Sequence, residues 1–154
     1  MHIKDATMPS LHHLWMKTCL RMKRLVSAQA APLGLSPGQP KIPEFLAQHG
    51  EHEQKGIADC CEIEPAAAGS ILLRMETAGL VTRRNRPDNR RSLYVSLTPT
   101  GQKMAQTVQD IFAAAEAQIT AGLTEEERAT LYEPLSKCFQ NGKRAVKRNK
   151  RPCK

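Results

Sequence analysis

Apolar residues recur every three or four positions through the opening part of the chain, and the period then changes. In SLHHLWMKTCLRMKRLVSAQA, residues 10–30, Leu11, Leu14, Trp15, Cys19, Met22, Leu25 and Val26 share one face of a helix. APLGLSPGQ breaks that pattern. Ser36 followed by Pro37 predicts the next helix start, a capping hydroxyl ahead of a proline at the first helical position. Pro40 and Pro43 each remove a backbone donor from that helix and predict that it is short or kinked. Two more helices follow, one from Glu53 to Cys60 and one from Glu64, with Pro65 in its first turn, to a stop at Gly79. The turn Cys61-Glu62-Ile63 between them is so short that the pair predicts a helix-turn-helix.

The period next drops to two. Leu93, Val95 and Leu97 alternate with Ser92, Tyr94 and Ser96, as in a half-buried strand, and LVTRR precedes them across the turn-forming NRPDN. The segment therefore predicts a two-stranded hairpin whose tip, RRNRPDNRRS, is rich in arginine. Thr98-Pro99 opens a long helix striped by Met104, Val108, Ile111, Ala115 and Ile119. Thr124 and Glu127 have capping-box spacing at the start of the last helix, whose apolar face continues through Leu131, Leu135, Cys138 and Phe139. The end, GKRAVKRNKRPCK, is basic without an acidic residue and predicts a frayed helix running into a tail.

The predicted fold is thus mainly α with a small β-hairpin wing, a winged helix-turn-helix. Its 154 residues suit a single domain. Within it, 35–97 form the winged helix-turn-helix lobe, 10–32 and 98–146 an all-helical region, and 147–154 a basic tail. With 40% hydrophobic but only 4% aromatic residues, the core is expected to be aliphatic. A net charge of +8 points to a polyanionic partner or an anionic surface. No apolar run approaches the roughly 18 residues that cross a bilayer, and the N-terminus carries no secretory pattern, so a cytoplasmic protein is expected. The cysteines at 19, 60, 61, 138 and 153 form no disulfide framework or zinc pattern. His12, His13, His49 and His52 likewise match no metal-ligand spacing, so neither metal nor cofactor is expected.

The chemistry of the hairpin follows from duplex geometry. A helix of about 10 Å diameter fits the major groove of B-DNA, about 12 Å wide, and a two-stranded ribbon reaches the adjacent minor groove. Arg86, Arg90 and Arg91 are the candidate wing contacts, and Asp88 is expected to pair with Arg90 or Arg91 and hold a guanidinium in place. On the second helix of the motif, Ala68, Ile71, Leu72 and Met75 fall on the inward stripe. Pro65, Ala66, Gly69, Ser70 and Leu73 fall on the groove side, with Arg74 on the flank as a phosphate ligand. That outward face is small and poor in donors, which predicts modest base readout and affinity drawn largely from phosphates.

LSPGQPKIPEFLAQHG, EIEPAAAGSILLRMETAGLVTRR, RPDNRRSLYVSLTPTGQ and LTEEE resemble, in order and spacing, the MarR family of bacterial transcription regulators, over roughly residues 10 to 142. The resemblance implies a homodimer whose first and last two helices interlock. It also implies binding to a pseudo-palindromic operator, usually as a repressor, with relief by a small anionic or phenolic ligand or by an oxidant. By position it assigns Ala66, Gly69 and Ser70 to the groove and Asp88, Arg90 and Arg91 to the wing. It places a ligand cleft between the helical region and the DNA-binding lobe, where His12, Trp15, Cys19 and Phe45 are the candidates. Cys19 is also the candidate for a thiol-based redox sensor of the same fold. A non-specific architectural DNA-binding protein is the other alternative. An enzyme is disfavoured: there is no Gly-rich phosphate loop, nucleophile motif or carboxylate pair. Stacking aromatics of the usual RNA modules are also missing.

Overall fold

The computed structural model describes residues 9–36 and 38–149. Pro37 and the tail residues 150–154, on which two of the expectations above fall, lie outside the described residues. The order is α1 (Leu11–Ala30), a 3-10 turn (Ala31–Leu33), α2 (Lys41–His49), β1 (His52–Glu53), α3 (Gln54–Cys60), α4 (Pro65–Thr77), β2 (Val81–Arg86), β3 (Asn89–Leu97), α5 (Pro99–Ile119) and α6 (Glu125–Asn149). The chain forms two compact units, Met1–Glu116 and Ala117–Lys154, with the divide inside α5.

In the first unit the core is aliphatic. Ile42 and Leu46 of α2, Ile57 of α3, Leu72 and Met75 of α4, Val81 of β2, Val95 of β3 and Val108 of α5 are fully buried. Each contributes about 1.5–3 kcal/mol by leaving water. Only the C-terminal half of the α1 stripe joins them: Val26 and Ala30 are buried, and Met22 and Leu25 pack against the cluster.

Three local expectations need correction. First, the second helix starts at Lys41 rather than near Pro37. Gly38 sits at φ 83, a backbone conformation no helix accommodates. Ser36 instead closes a turn, its N–H and its hydroxyl both donating to Oε1 of the buried Gln39 at 2.8 Å. The late start places Pro40 at the cap and Pro43 in the first turn, where helical N–H groups have no partner, so neither proline kinks the helix. Second, the sheet has three strands, ordered β1-β3-β2, not two. His52 pairs with Val95 and Glu53 with Tyr94; a strand of two residues is too short to show a period. Third, the strands run further toward the tip than the turn residues suggested, leaving only Pro87 and Asp88 between them.

The passage from wing to α5 is fixed by four residues, Gly79, Leu80, Thr98 and Gly101. Thr98 caps the helix, its Oγ1 accepting from Gly101 N–H at 3.0 Å. The Thr98 hydroxyl donates to the Gly79 carbonyl, and its N–H to the Leu80 carbonyl at 3.0 Å. Gly101 then lies so close to the residue preceding β2 that a Cβ would stand 1.9 Å from Leu80 O.

In the second unit, Thr124 and Glu127 form the expected capping box: Thr124 N–H donates to Glu127 Oε2 at 2.8 Å and Glu127 N–H to Thr124 Oγ1 at 3.1 Å. On α6, Leu131, Tyr132, Leu135 and Phe139 are exposed.

Candidate nucleic-acid interface

The interface begins with α4. Its inward residues are those the helical period selects: Ala68, Ile71, Leu72 and Met75 are buried. Pro65, Ala66, Ser70, Leu73 and Arg74 are exposed along the opposite side, and Gly69 is half-buried. Pro65 at the first turn needs no N–H partner and starts the helix. The Ser70 hydroxyl donates back to the Ala66 carbonyl at 3.3 Å, which leaves its oxygen outward as an acceptor. A Cβ at Gly69 would stand 3.4 Å from Nε2 of Gln54 on α3, an ordinary contact with the end of a flexible side chain. Among the described residues no ion pair engages Arg74.

The wing sorts its five arginines. Arg83 is bound to Glu76 at the end of α4, through Nε at 2.9 Å and Nη2 at 2.7 Å, and its own N–H donates to Oε1 at 3.2 Å. Those hydrogen bonds hold the Glu76 carboxyl below the usual carboxylate range. Arg84 and Arg86 both reach Glu51, in the turn between α2 and β1, at 2.8 Å and 2.7 Å. The Glu51 carboxyl is likewise held low, first by its hydrogen bond from Arg86 and then by that from Arg84. The Arg86 guanidinium also lies 4.2 Å from the centre of the Tyr94 ring.

Arg90 and Arg91 are exposed, and among the described residues neither takes part in an ion pair. They occupy an irregularity in the ladder: Asn85 pairs with Leu93, but Arg86 pairs with Asn89, so Arg90, Arg91 and Ser92 have no opposite residue. Asn85 bridges this bulge, its Nδ2 donating to the Arg90 carbonyl at 2.9 Å and the Ser92 carbonyl at 3.2 Å. Bulges of this kind re-aim side chains. The expected partnership of Asp88 with Arg90 or Arg91 is not formed. Asp88 is exposed at the tip, and the arginine whose charge it supports is Arg86.

The sequence reading did not find Glu51 or Glu76, because these partners of the arginines come from outside the hairpin, nor Asn85 and Tyr94, whose contacts depend on the register of the two strands. Lys55 at the start of α3 was also missed. It lines a cleft of about 390 Å³ with Gln54, Pro65, Arg91 and Ser92, which brings the first turns of both helices of the motif beside the bulge. A second cleft, of about 310 Å³, is lined by Leu33, Leu35, Gln39, Arg74, Leu80 and Met104 among others. The residues expected to hold a ligand lie elsewhere. His12, Trp15 and Cys19 are exposed on α1, and Phe45 is half-buried, stacked on His49 with ring centres 4.5 Å apart. Among the described residues no cluster of His, Cys, Asp or Glu is arranged to hold a metal, and no helix is long and apolar enough to cross a membrane.

A small-faced helix laid beside a three-stranded sheet, with a cationic bulge at its far end, defines a winged helix-turn-helix protein. Residues 35–93 match the model of the MarR family. The homoprotocatechuate degradative operon repressor of Escherichia coli is 35% identical over 109 residues, covering 70% of this chain and 73% of the relative. The chain belongs to the MarR family of transcription regulators. Its fold matches a mutant MarR from E. coli complexed with operator DNA, with a TM-score of 0.75 at 22% identity over 84% of this chain and 94% of the other. It matches Bordetella bronchiseptica BpsR, studied for regulation of DNA binding by 6-hydroxynicotinic acid, with a TM-score of 0.76 at 19% identity over 84% and 98%.

Proposed function

We propose that the protein is a cytoplasmic, sequence-specific repressor that binds a pseudo-palindromic operator as a homodimer and releases it on binding a small anionic or phenolic effector. The observation that carries this reading is the pairing of an exposed small-residue face on α4 with two arginines, Arg90 and Arg91, left without carboxylate partners on a bulged wing. Ala66, Gly69 and Ser70 allow close approach to base edges, with Ser70 as the polar reader. Arg90 and Arg91, with Arg74 and Lys55, supply phosphate and minor-groove contacts. The homodimer is supported by the apolar side chains left exposed on α1 and α6. A two-fold axis would set the recognition helices about 34–36 Å apart, one turn of DNA.

The effector reading draws support from the relative whose DNA binding is studied with 6-hydroxynicotinic acid. The cleft beside Arg74 offers an apolar wall from Leu33, Leu35, Leu80 and Met104 and one guanidinium for an organic acid. His12, Trp15, Cys19 and Phe45 are the competing set of lining residues.

The test is binding of duplexes from the protein's own upstream region against scrambled duplex at fixed salt. A preference of about 10³-fold or more is expected. Ser70→Glu, which puts a carboxylate against the bases, is expected to abolish binding with the melting temperature unchanged. Arg90→Ala is expected to weaken binding without loss of the dimer. Equal affinity for all duplexes would leave an architectural role in place of a repressor.

A further inference from the structure

The DNA-binding reading makes use of Arg90 and Arg91, but the wing carries two further arginines close to its tip, and these are tied to a single carboxylate. Glu51 accepts from Arg84 Nε at 2.8 Å through Oε2, and from Arg86 Nε at 3.2 Å and Nη2 at 2.7 Å through Oε1. Its side chain is only 17% exposed, whereas those of Arg84 and Arg86 are 68% and 43% exposed. The carboxylate therefore sits beneath both cations. It comes from the turn ahead of β1, so it also ties the hairpin to the edge of the sheet.

We propose that Glu51 is a positioning and specificity-determining residue of the interface: it cancels one of the two charges on Arg84 and Arg86, holds both guanidinium groups against the turn ahead of β1, and leaves Arg90 and Arg91 as the wing's phosphate-seeking cations. The reason is the cost of indiscriminate charge. Every lysine or arginine that reaches a phosphate strengthens binding to any sequence alike, so an unrestrained wing would raise non-specific affinity and dilute preference for an operator. Charge arithmetic makes the idea testable. Glu51, Arg84 and Arg86 together carry one net positive charge. Replacing Glu51 by Gln raises that to two, and replacing Arg84 as well returns it to one.

The measurement is the slope of log binding constant against log salt for the full-length protein. It uses a duplex enriched by wild-type protein from a random pool and a scrambled duplex of the same composition. With Glu51→Gln the slope on scrambled duplex is expected to steepen by about 0.9 for each protomer that gains a phosphate contact. The preference for enriched over scrambled duplex is expected to fall about threefold or more. In Glu51→Gln/Arg84→Gln the slope is expected to return to the wild-type value, a reversal that loss of structure cannot produce. If wild type binds duplex DNA and Glu51→Gln leaves both slope and preference unchanged, or if the double variant keeps the steeper slope, the role assigned to Glu51 is overturned while the repressor reading stands. If wild type binds no duplex, both fall together.

Discussion

At the scale of single residues, environment separates groups that look equivalent in the sequence. Cys60 and Cys61 are neighbours, yet Cys60 is exposed and Cys61 is buried. Burial pushes the Cys61 thiol up to about 11, against the pull of Lys41, and its Sγ lies 3.7 Å from the Lys41 carbonyl as a donor. The thiolate is the reactive form, so Cys61 should resist alkylation near neutral pH. Brief treatment of the native protein with iodoacetamide, followed by peptide mass spectrometry, should label Cys60 and spare Cys61. Labelling of Cys61 at the rate of Cys60 would mean that the turn after α3 opens readily. The wing arginines divide on the same logic. Arg83 lies against Glu76 with its side chain 17% exposed, and is a structural clasp between α4 and β2, whereas Arg90 is available to a partner.

At the scale of elements, the junction between wing and α5 holds the closest approach made at any described glycine. A Cβ at Gly101 would overlap Leu80 O, a backbone atom that cannot swing aside as a side chain would. Gly101→Ala should therefore destabilise by about 3 kcal/mol or more despite the better helix propensity of alanine, as seen in urea midpoints. A midpoint at or above wild type would show that α5 can slide on the wing. Docking of the wing should also depend on pH. The Glu51 and Glu76 carboxyls are lowered from 4.5 in the folded protein by their arginines. Their contribution is whole above that ordinary value and is lost as pH falls through it toward the lowered folded values. Stability should thus rise with pH across the acid range, and Glu51→Gln with Glu76→Gln should flatten that rise. Helical faces were legible in the sequence because a period of 3.6 is local: Ala68, Ile71, Leu72 and Met75 are buried as their spacing predicts. The arginine pairings were not, because Glu51 lies 33 and 35 positions from Arg84 and Arg86. The bulge at Arg90 and Arg91 was also hidden, since alternation marks a strand but not the register of its partner.

At the scale of the whole molecule, the apolar residues divide into those the chain buries by itself and those it does not. On α1 the stripe is continuous in the sequence, but Leu11 and Leu14 remain 75% and 53% exposed while Val26 is buried. On α6, Tyr132 and Phe139 are 79% and 52% exposed. A monomer would carry these surfaces into water at a cost that a second copy can remove. In a two-fold interface every substitution acts twice. Fully burying an exposed leucine is worth about 1.5–3 kcal/mol, and Leu14 is 53% exposed, so with two copies Leu14→Glu should weaken association by about 1.5–3 kcal/mol or more, roughly 10- to 10²-fold. Sedimentation velocity at micromolar protein should show a dimer for wild type and a monomer for Leu14→Glu. Operator affinity should fall with it, because one recognition helix alone captures half of the site. The outcome that would defeat the arrangement is a wild-type monomer that still discriminates between duplexes. Then the exposed faces of α1 and α6 would belong to some other partner, and the spacing of half-sites would no longer follow from symmetry.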